Sequence, residues 1–239
     1  MIALPLNPAA FDAAIIDLDG TMVDTLGDFA QALNRMLADL ALQAIAPAHI
    51  EHMVGKGSEH LIKSVLHHVL AQSGQAPAAI NTEAIYPQAW ARYQHHYLAI
   101  NGQYAQVYPG VPEGLHALRS AGLRLACLTN KPTAFALPLL RAKGLDGFFD
   151  QVFGGDAFER KKPDPLPLLR TCAALGTLPA HTLMVGDSSN DAQAARAAGC
   201  PVALVTYGYN HGQPVHSVDA DSYVHSLHEL VAQWVCRCA

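Results

Sequence analysis

The chain has 239 residues, of which 51% are hydrophobic and 15% are charged, and its formal net charge is -5 at pH 7. This length accommodates a large core domain with a smaller second one, and the composition excludes a disordered or fibrous chain. The acidic balance argues against a general attraction to nucleic acid or to an anionic membrane, so any anionic substrate requires local cations.

The first predicted strand, at 13–19, reads AAIIDLD and is followed by Gly20. Side chains two residues apart point to the same face of a strand, so Asp17 and Asp19 are expected side by side at its carboxyl end. Two like charges that close repel each other unless a cation joins them. The alternative interpretation is a pair of turn residues, since Asp and Gly are frequent in turns.

The next segment, residues 25–100, contains no convincing strand but three helical patterns, at 28–42, 59–74 and 82–100. We interpret it as an inserted α-helical cap domain, which leaves residues 1–24 and 101–239 for the core. Because the insertion departs directly after the first strand, we expect it to cover the carboxyl end of that strand as a lid.

Five further apolar runs predict buried strands, at 123–130, 149–155, 181–187, 201–208 and 222–227. Helical patterns that end in a glycine lie between several of them, at 112–122, 164–176 and 191–199. Strands that alternate with helices predict a parallel sheet with helices on both faces. The predicted fold is therefore α/β, a Rossmann-like parallel-sheet core with an inserted α-helical cap domain.

Polar residues stand at the carboxyl ends of three predicted strands, and that edge of an open parallel sheet is where ligands bind. The candidate metal ligands are Asp17, Asp19, Asp187 and Asp191. Carboxylate and carbonyl oxygens suit Mg²⁺ rather than zinc, because no histidine or cysteine occupies these positions. Asp191 has a second interpretation as a helix N-cap that supports the site.

A phosphate dianion beside these carboxylates requires a further fixed positive charge, because like charges about 4 Å apart repel by roughly 4 kcal/mol at an effective dielectric near 20. The stretch ERKKPDPLPLL offers Lys161 and Lys162, and we favour Lys162 because Pro163 fixes the backbone direction after it. The candidate hydrogen-bond donors to phosphate are Thr129, Asn130 and the amides after Asp17, including that of Gly20. Asn130 is alternatively a helix cap.

These motifs, in this order, resemble the haloacid dehalogenase superfamily, through DLDGT, LTN, KP and GDSSND. The resemblance implies that Asp17 is a nucleophile that forms an aspartyl-phosphate, while Asp19 acts as general acid and then as general base. It also implies a Mg²⁺ ion held by Asp17, the Asp19 carbonyl and Asp187. The presence of an acid at position 19 resembles the phosphotransferase branch of the superfamily, because the dehalogenases lack an acid at this position.

Finer features, YPGVPEGLHALRSAG and VTYGYNHG, resemble bacterial phosphoglycolate phosphatases, and MVGKGSEHLI is similar to their substrate loop. In that loop Gly55 and Gly57 permit close approach of a ligand, and Lys56 is the candidate partner of a substrate carboxylate. The alternative for Lys56 is an ordinary surface lysine. The implied activity is Mg²⁺-dependent hydrolysis of 2-phosphoglycolate, a small phosphomonoester, to glycolate and phosphate.

Several other functions stay open at this stage. A sugar-phosphate or N-acetylmuramate 6-phosphate phosphatase shares much of the pattern, as does a phosphoglucomutase-like isomerase. A phosphonatase would use a lysine such as Lys56 or Lys63 for a Schiff base, and a binding protein without catalysis would have no need of all four motifs.

The five cysteines show no CxxC spacing, and two of them stand in the C-terminal CRC stretch. This usage favours reduced thiols in a cytosol over a disulfide framework. The stretch MIALPLNPAAF lacks the pattern of a signal peptide, and no run of about 18 apolar residues occurs. We expect a cytoplasmic monomer or homodimer, with no nucleic-acid or membrane partner.

Overall fold

The structure is a computed structural model that describes residues 10–72 and 81–235. The two cysteines of the CRC stretch lie outside these ranges, as does the end of the predicted helix at 59–74.

Eight strands occur in the described part of the chain. In chain order they are β1 (Ala13–Ile16), β2 (Val23–Asp24), β3 (Gln106–Val107), β4 (Arg124–Leu128), β5 (Gln151–Phe153), β6 (Thr182–Gly186), β7 (Val202–Val205) and β8 (Ser222–Val224). Six of them form one sheet in the order β5-β4-β1-β6-β7-β8, and every neighbouring pair is parallel. The predicted parallel-sheet α/β fold is confirmed.

Strand β1 lies inside the sheet, where Ile16 is in register with Cys127 of β4 and with Val185 of β6. Its side chains alternate between the two faces of the sheet, as the pleat requires. Ala14 and Ile16 belong to one buried cluster, whereas Ala13 and Ile15 belong to another. Both faces are therefore apolar and each requires a layer of helices.

The helices of the core are α5 (Val111–Ser120), α6 (Thr133–Ala142), α7 (Leu166–Leu175), α8 (Ser189–Ala198) and α9 (Leu227–Val235). Helices α5, α6 and α9 contribute leucines to the cluster that contains Ile16. Helices α7 and α8 pack on the opposite face with Ile15. The sheet is thus covered on both sides, which leaves its carboxyl edge as the open end.

The segment between β2 and β3 contains α1 (Leu26–Asp39), α2 (Pro47–Glu51), α3 (Ser58–Gln72) and α4 (Thr82–Ile100). These helices share a buried cluster of their own, in which Tyr93 and Tyr97 are fully buried. Phe135 of α6 and Tyr209 also belong to this cluster, so the helical segment packs against the core. We retain residues 25–100 as the proposed cap domain.

Strands β2 and β3 form a short antiparallel pair at the two ends of this helical segment, with Val23 opposite Val107. These two strands were not predicted from the sequence. Asp28, fully buried in α1, accepts hydrogen bonds from the backbone amides of Gly102 at 2.6 Å and Tyr104 at 2.8 Å. The pair and this carboxylate hold the outgoing and returning chain together above the sheet edge.

Within the described ranges, none of the helices combines the length and the apolar character needed to cross a membrane.

Candidate active site

Polar side chains from three neighbouring strands meet at the carboxyl edge of the sheet. Asp17 directly follows β1, Thr129 follows β4 and Asp187 follows β6, and all three are buried. Because these strands are parallel and adjacent, the residues after them converge at one edge. The structure thus brings together the residues that the strand-end argument selected.

Three carboxylates form a buried cluster: each of Asp17, Asp187 and Asp191 offers an oxygen within 4.8 Å of those of the other two. Asp17 Oδ1 is buried, and within the described part of the chain no group donates a hydrogen bond to it. Lys162 Nζ pairs with this oxygen at 3.0 Å without hydrogen-bond geometry. An anionic oxygen that is buried in this way has the character of an unused metal ligand.

Lys162 is the cation at the centre of this cluster. Its ammonium group lies 2.7 Å from Asp191 Oδ1 and donates a hydrogen bond to the carbonyl oxygen of Leu128 at 2.9 Å. Burial by itself would lower the pKa of Lys162, but the carboxylates of Asp17 and Asp191 outweigh burial and raise that pKa. Lys161, its neighbour in sequence, is exposed. Of the two lysines considered, the structure thus places Lys162 at Asp17.

Asp191 is the third residue of α8 and forms a capping box with Ser188. Its Oδ2 accepts hydrogen bonds from the hydroxyl of Ser188 at 2.8 Å and from the Ser188 amide at 3.2 Å, while Oδ1 binds Lys162. Both oxygens of Asp191 therefore already have partners in the protein. The helix N-cap itself is Ser188, so Asp191 supports the helix start from its first turn.

Asp187 is fixed by residues on both sides of it. Thr21 Oγ1 donates to Oδ1 at 3.1 Å, and the amide of Tyr209 donates to Oδ2 at 2.5 Å. Gly20 passes so close that a Cβ at that position would lie 2.3 Å from Asp187 Oδ2, and its φ is +83°. The glycine of DLDGT is thus required by backbone conformation and by the space that Asp187 occupies.

Burial dominates the acid–base properties of the cluster. It raises the pKa of Asp17 to about 7, a rise that the charge of Lys162 opposes and the charge of Asp191 reinforces. Burial, together with the neighbouring carboxylates of Asp191 and Asp17, raises the pKa of Asp187 well above its ordinary value. Without a further cation, the protein thus disfavours the ionised form of both groups.

The local charges indicate which cation would fit. Counting Asp19 with the cluster, four carboxylates stand against the two ammonium groups of Lys131 and Lys162, which leaves an excess of two negative charges. A divalent ion balances this excess, and a donor set made of oxygens alone suits Mg²⁺. The residues present therefore fit the metal that the sequence analysis predicted.

The carboxylate of Asp19 is not part of the cluster of three and instead binds Lys131. The ammonium group of Lys131 lies 2.9 Å from Asp19 Oδ1 and 3.3 Å from Oδ2. It also lies 4.5 Å from the ring centre of Phe29 in α1 and 4.7 Å from that of Tyr97 in α4. Lys131 directly follows the LTN motif but is not among the site residues predicted from the sequence.

A cavity of about 20 Å³ lies above Asp17, between the core and the helical segment. Its lining from the core comprises Asp17, Asp19, Thr129, Asn130 and Lys131, and its lining from the helical segment comprises Phe29, Val54, Gly55, Gly57, Ser58 and Leu61. A volume of this size holds about one water molecule. A phosphomonoester is larger than this volume, so its binding requires the lining to move.

The loop that contains the predicted substrate-binding residues reaches the core through its backbone. Gly55 and Gly57 have φ values of +108° and +89°, and the side-chain amide of Asn130 donates to the Gly55 carbonyl oxygen at 3.1 Å. The same amide donates to the Lys162 carbonyl oxygen at 2.9 Å. Asn130 is not a helix cap, since α6 begins after Pro132.

Lys56 is exposed and is absent from the lining of the cavity above Asp17. It borders a separate groove of about 470 Å³ together with Arg160 and Lys161. In this arrangement the structure does not bring Lys56 to the other predicted site residues.

The fold and the acidic site at the carboxyl edge of the sheet define the class of the protein. It is a Rossmann-like α/β enzyme whose site lies beneath a helical insertion. Within that class, the chain belongs to the haloacid dehalogenase-like hydrolase family, whose family model matches residues 14–205. Phosphatases of this family generally use Mg²⁺.

Individual relatives cover nearly the whole chain. A protein of Thiobacillus denitrificans named phosphoglycolate phosphatase is 43% identical over 93% of this chain and 95% of its own length. One of the same name from Nitrosospira multiformis is 45% identical with the same coverage. The crystal structure of a protein of Haemophilus somnus, described as a predicted phosphoglycolate phosphatase, has a TM-score of 0.88 at 32% identity and covers 93% of this chain and 97% of that one.

Proposed function

We propose that this protein is a Mg²⁺-dependent phosphatase that hydrolyses 2-phosphoglycolate to glycolate and phosphate. The observation that carries the proposal is the buried carboxylate of Asp17, which borders the cavity between core and helical segment and is paired with Lys162. The relatives named phosphoglycolate phosphatase, at 43% and 45% identity, support this choice of substrate.

In the proposed reaction, Asp17 is the nucleophile. Its carboxylate attacks phosphorus, the bond from phosphorus to the ester oxygen breaks, and an aspartyl-phosphate forms. Lys162 holds the attacking carboxylate in place and is itself held by Asp191, so we assign Asp191 to positioning rather than to direct metal binding.

Asp19 is the proposed general acid in the first half of the reaction and the general base in the second half. It protonates the departing alkoxide, and its conjugate base then takes a proton from the water that attacks the phosphorus of the aspartyl-phosphate. Its position on the wall of the same cavity as Asp17 supports this role. Hydrolysis restores Asp17 and releases phosphate.

The proposed ligands of Mg²⁺ are Asp17, Asp187 and the backbone carbonyl of Asp19. When bound, the ion would neutralise charge on the phosphoryl oxygens. Thr129 accepts a hydrogen bond from the Lys131 amide at 3.2 Å, and its hydroxyl proton is the proposed donor to phosphate, together with the Gly20 amide. Asn130 is proposed to support this end of the site by holding the Gly55 loop against the core.

The test is phosphate release from a panel of phosphorylated acids and sugars, with and without Mg²⁺, run beside Asp17→Asn. The proposal predicts metal-dependent turnover of 2-phosphoglycolate with a kcat/KM at least about tenfold above the others. It also predicts no turnover by the variant.

Other outcomes would select the alternatives. A preference for a sugar phosphate or for N-acetylmuramate 6-phosphate would retain the phosphatase chemistry and reject 2-phosphoglycolate as the substrate. Interconversion of a sugar phosphate without phosphate release would indicate a mutase. The cytoplasmic location and the monomeric or homodimeric state stay predictions.

A further inference from the structure

Lys131 is a charged side chain that the proposed reaction does not use, although it lies on the wall of the substrate cavity. Its side chain is 1% exposed, so its ammonium group has lost nearly all of its water. Burial of a charge is unfavourable unless partners replace the lost hydration. The identity of those partners therefore indicates what the site is built to bind.

Within the described ranges, the partners of Lys131 leave one of its three N–H donors without a strong acceptor. An ammonium group donates three hydrogen bonds, and the oxygens of Asp19 accept at 2.9 and 3.3 Å. On its other sides lie the rings of Phe29 and Tyr97, which attract a cation but accept no strong hydrogen bond. Within the described ranges, Asp19 is the one carboxylate paired with Lys131.

The chemistry of a 2-phosphorylated acid places its two anionic groups at the required separation. In the proposed reaction the ester oxygen lies at Asp19, which protonates it. One methylene carbon joins this oxygen to the carboxylate, so standard bond lengths put the carboxylate oxygens roughly 3 to 4 Å from it. Lys131 Nζ is within 2.9 Å of Asp19 and thus within reach of that carboxylate.

We propose that Lys131 binds the carboxylate of the substrate and thereby sets a preference for 2-phosphorylated carboxylic acids. This inference rests on the proposed phosphatase function. Among the described residues that line the cavity Lys131 is the one cation, whereas Lys56 is exposed outside it and Lys162, paired with Asp17, is not part of the lining. The carboxylate of N-acetylmuramate 6-phosphate lies many bonds from its phosphate ester and does not meet this geometry.

The experiment compares two substrates that differ in one group. 2-Hydroxyethyl phosphate has the same chain as 2-phosphoglycolate but carries a neutral hydroxymethyl group in place of the carboxylate. The kcat/KM ratio of the two substrates is measured for the wild type, for Lys131→Met and for Lys56→Met. Loss of a charge-assisted hydrogen bond is expected to lower this ratio roughly 10- to 100-fold in Lys131→Met. Lys56→Met is expected to keep the wild-type ratio.

A ratio unchanged in Lys131→Met, with both substrates slowed equally, would mean that Lys131 acts only on Asp19 and would overturn the inference. If Lys131→Met is too slow for either substrate, calorimetry measures how tightly 2-phosphoglycolate and 2-hydroxyethyl phosphate bind to Asp17→Asn, with and without Lys131→Met. The ratio of the two affinities then replaces the kcat/KM ratio. The outcome for the proposed function is separate, because it is decided by whether the wild type releases phosphate from 2-phosphoglycolate.

Discussion

Replacement of Asp17 by asparagine is expected to stabilise the metal-free protein at alkaline pH, although it removes the proposed nucleophile. Burial raises the pKa of this carboxyl from 3.8 to about 7, against the opposing charge of Lys162. The side chain is only 13% exposed, so solvent screens the effect weakly. The cost of keeping Asp17 ionised in the folded protein is therefore a cost to stability.

The sign and the magnitude follow from the two pKa values. In the unfolded chain Asp17 loses its proton near pH 3.8, whereas in the folded protein it keeps the proton up to about pH 7. The stability of the wild type thus falls as pH rises through this window and levels off above it. The two pKa values differ by about three, and each pKa unit corresponds to about 1.4 kcal/mol, so the loss of stability has an upper limit of about 4 kcal/mol.

Asparagine has no such charge, so at about pH 8 with a chelator we expect the variant to be more stable by about 2 to 4 kcal/mol. The advantage should vanish near about pH 4. The measurement is the free energy of unfolding in urea at a series of pH values. Asp12→Asn is the matched control, since Asp12 is an exposed acid just before β1 and its replacement should change little.

Addition of Mg²⁺ should stabilise the wild type and leave Asp17→Asn nearly unchanged. The reasoning would be refuted by a metal-free wild type that is more stable than the variant at alkaline pH. A difference between them that does not depend on pH would also refute it.

Two further predictions concern buried charges around the site. Lys162→Met leaves Asp17 and Asp191 without their cation, so the free energy of unfolding should fall by about 3 to 5 kcal/mol and kcat by about 100- to 1000-fold. Urea unfolding and phosphate release measure these two losses. Equal losses in Lys161→Met, which replaces the exposed neighbour, would contradict the prediction. Asp28→Ala leaves two partly buried backbone amides without their acceptor and should lower the free energy of unfolding by about 2 to 3 kcal/mol, which urea unfolding measures. An unchanged value would show that this carboxylate does not anchor the helical segment.

The core sheet was accessible from the sequence because its strands are short apolar runs that end in polar residues. The observed strands are shorter than predicted: β1 ends at Ile16 and not at Asp19, because the chain turns at Gly20 to place its carboxylates above the edge. Strands β2 and β3 could not be predicted, since two residues show no periodicity.

The residues of the candidate site fall into two groups: some have a role that a local motif indicates, and others have a role that depends on contacts with distant parts of the chain. Asp17, Asp187 and Lys162 stand at strand ends or in motifs whose chemistry is local, and the structure brings them together. Lys131 follows a strand as an ordinary turn lysine, and its role emerges only when Phe29 and Tyr97 pack over it from distant helices.

For Lys56, the local sequence indicates the course of the backbone but not the direction of the side chain. Glycines on both sides of it indicate close backbone approach, and the loop does approach the core. The direction of the lysine side chain depends on packing that a local pattern does not contain, and the structure leaves it exposed.

The central claim, that Asp17 carries the phosphoryl group, is tested most directly by mass spectrometry of protein quenched in acid during the first turnover of 2-phosphoglycolate with Mg²⁺. Acid preserves an aspartyl-phosphate, so peptide mapping locates the added phosphoryl group. We predict one phosphoryl group on the peptide that contains Asp17, and none in Asp17→Asn. Phosphate release in the first turnover with an unmodified Asp17 peptide, or with the group on another residue, would contradict the account.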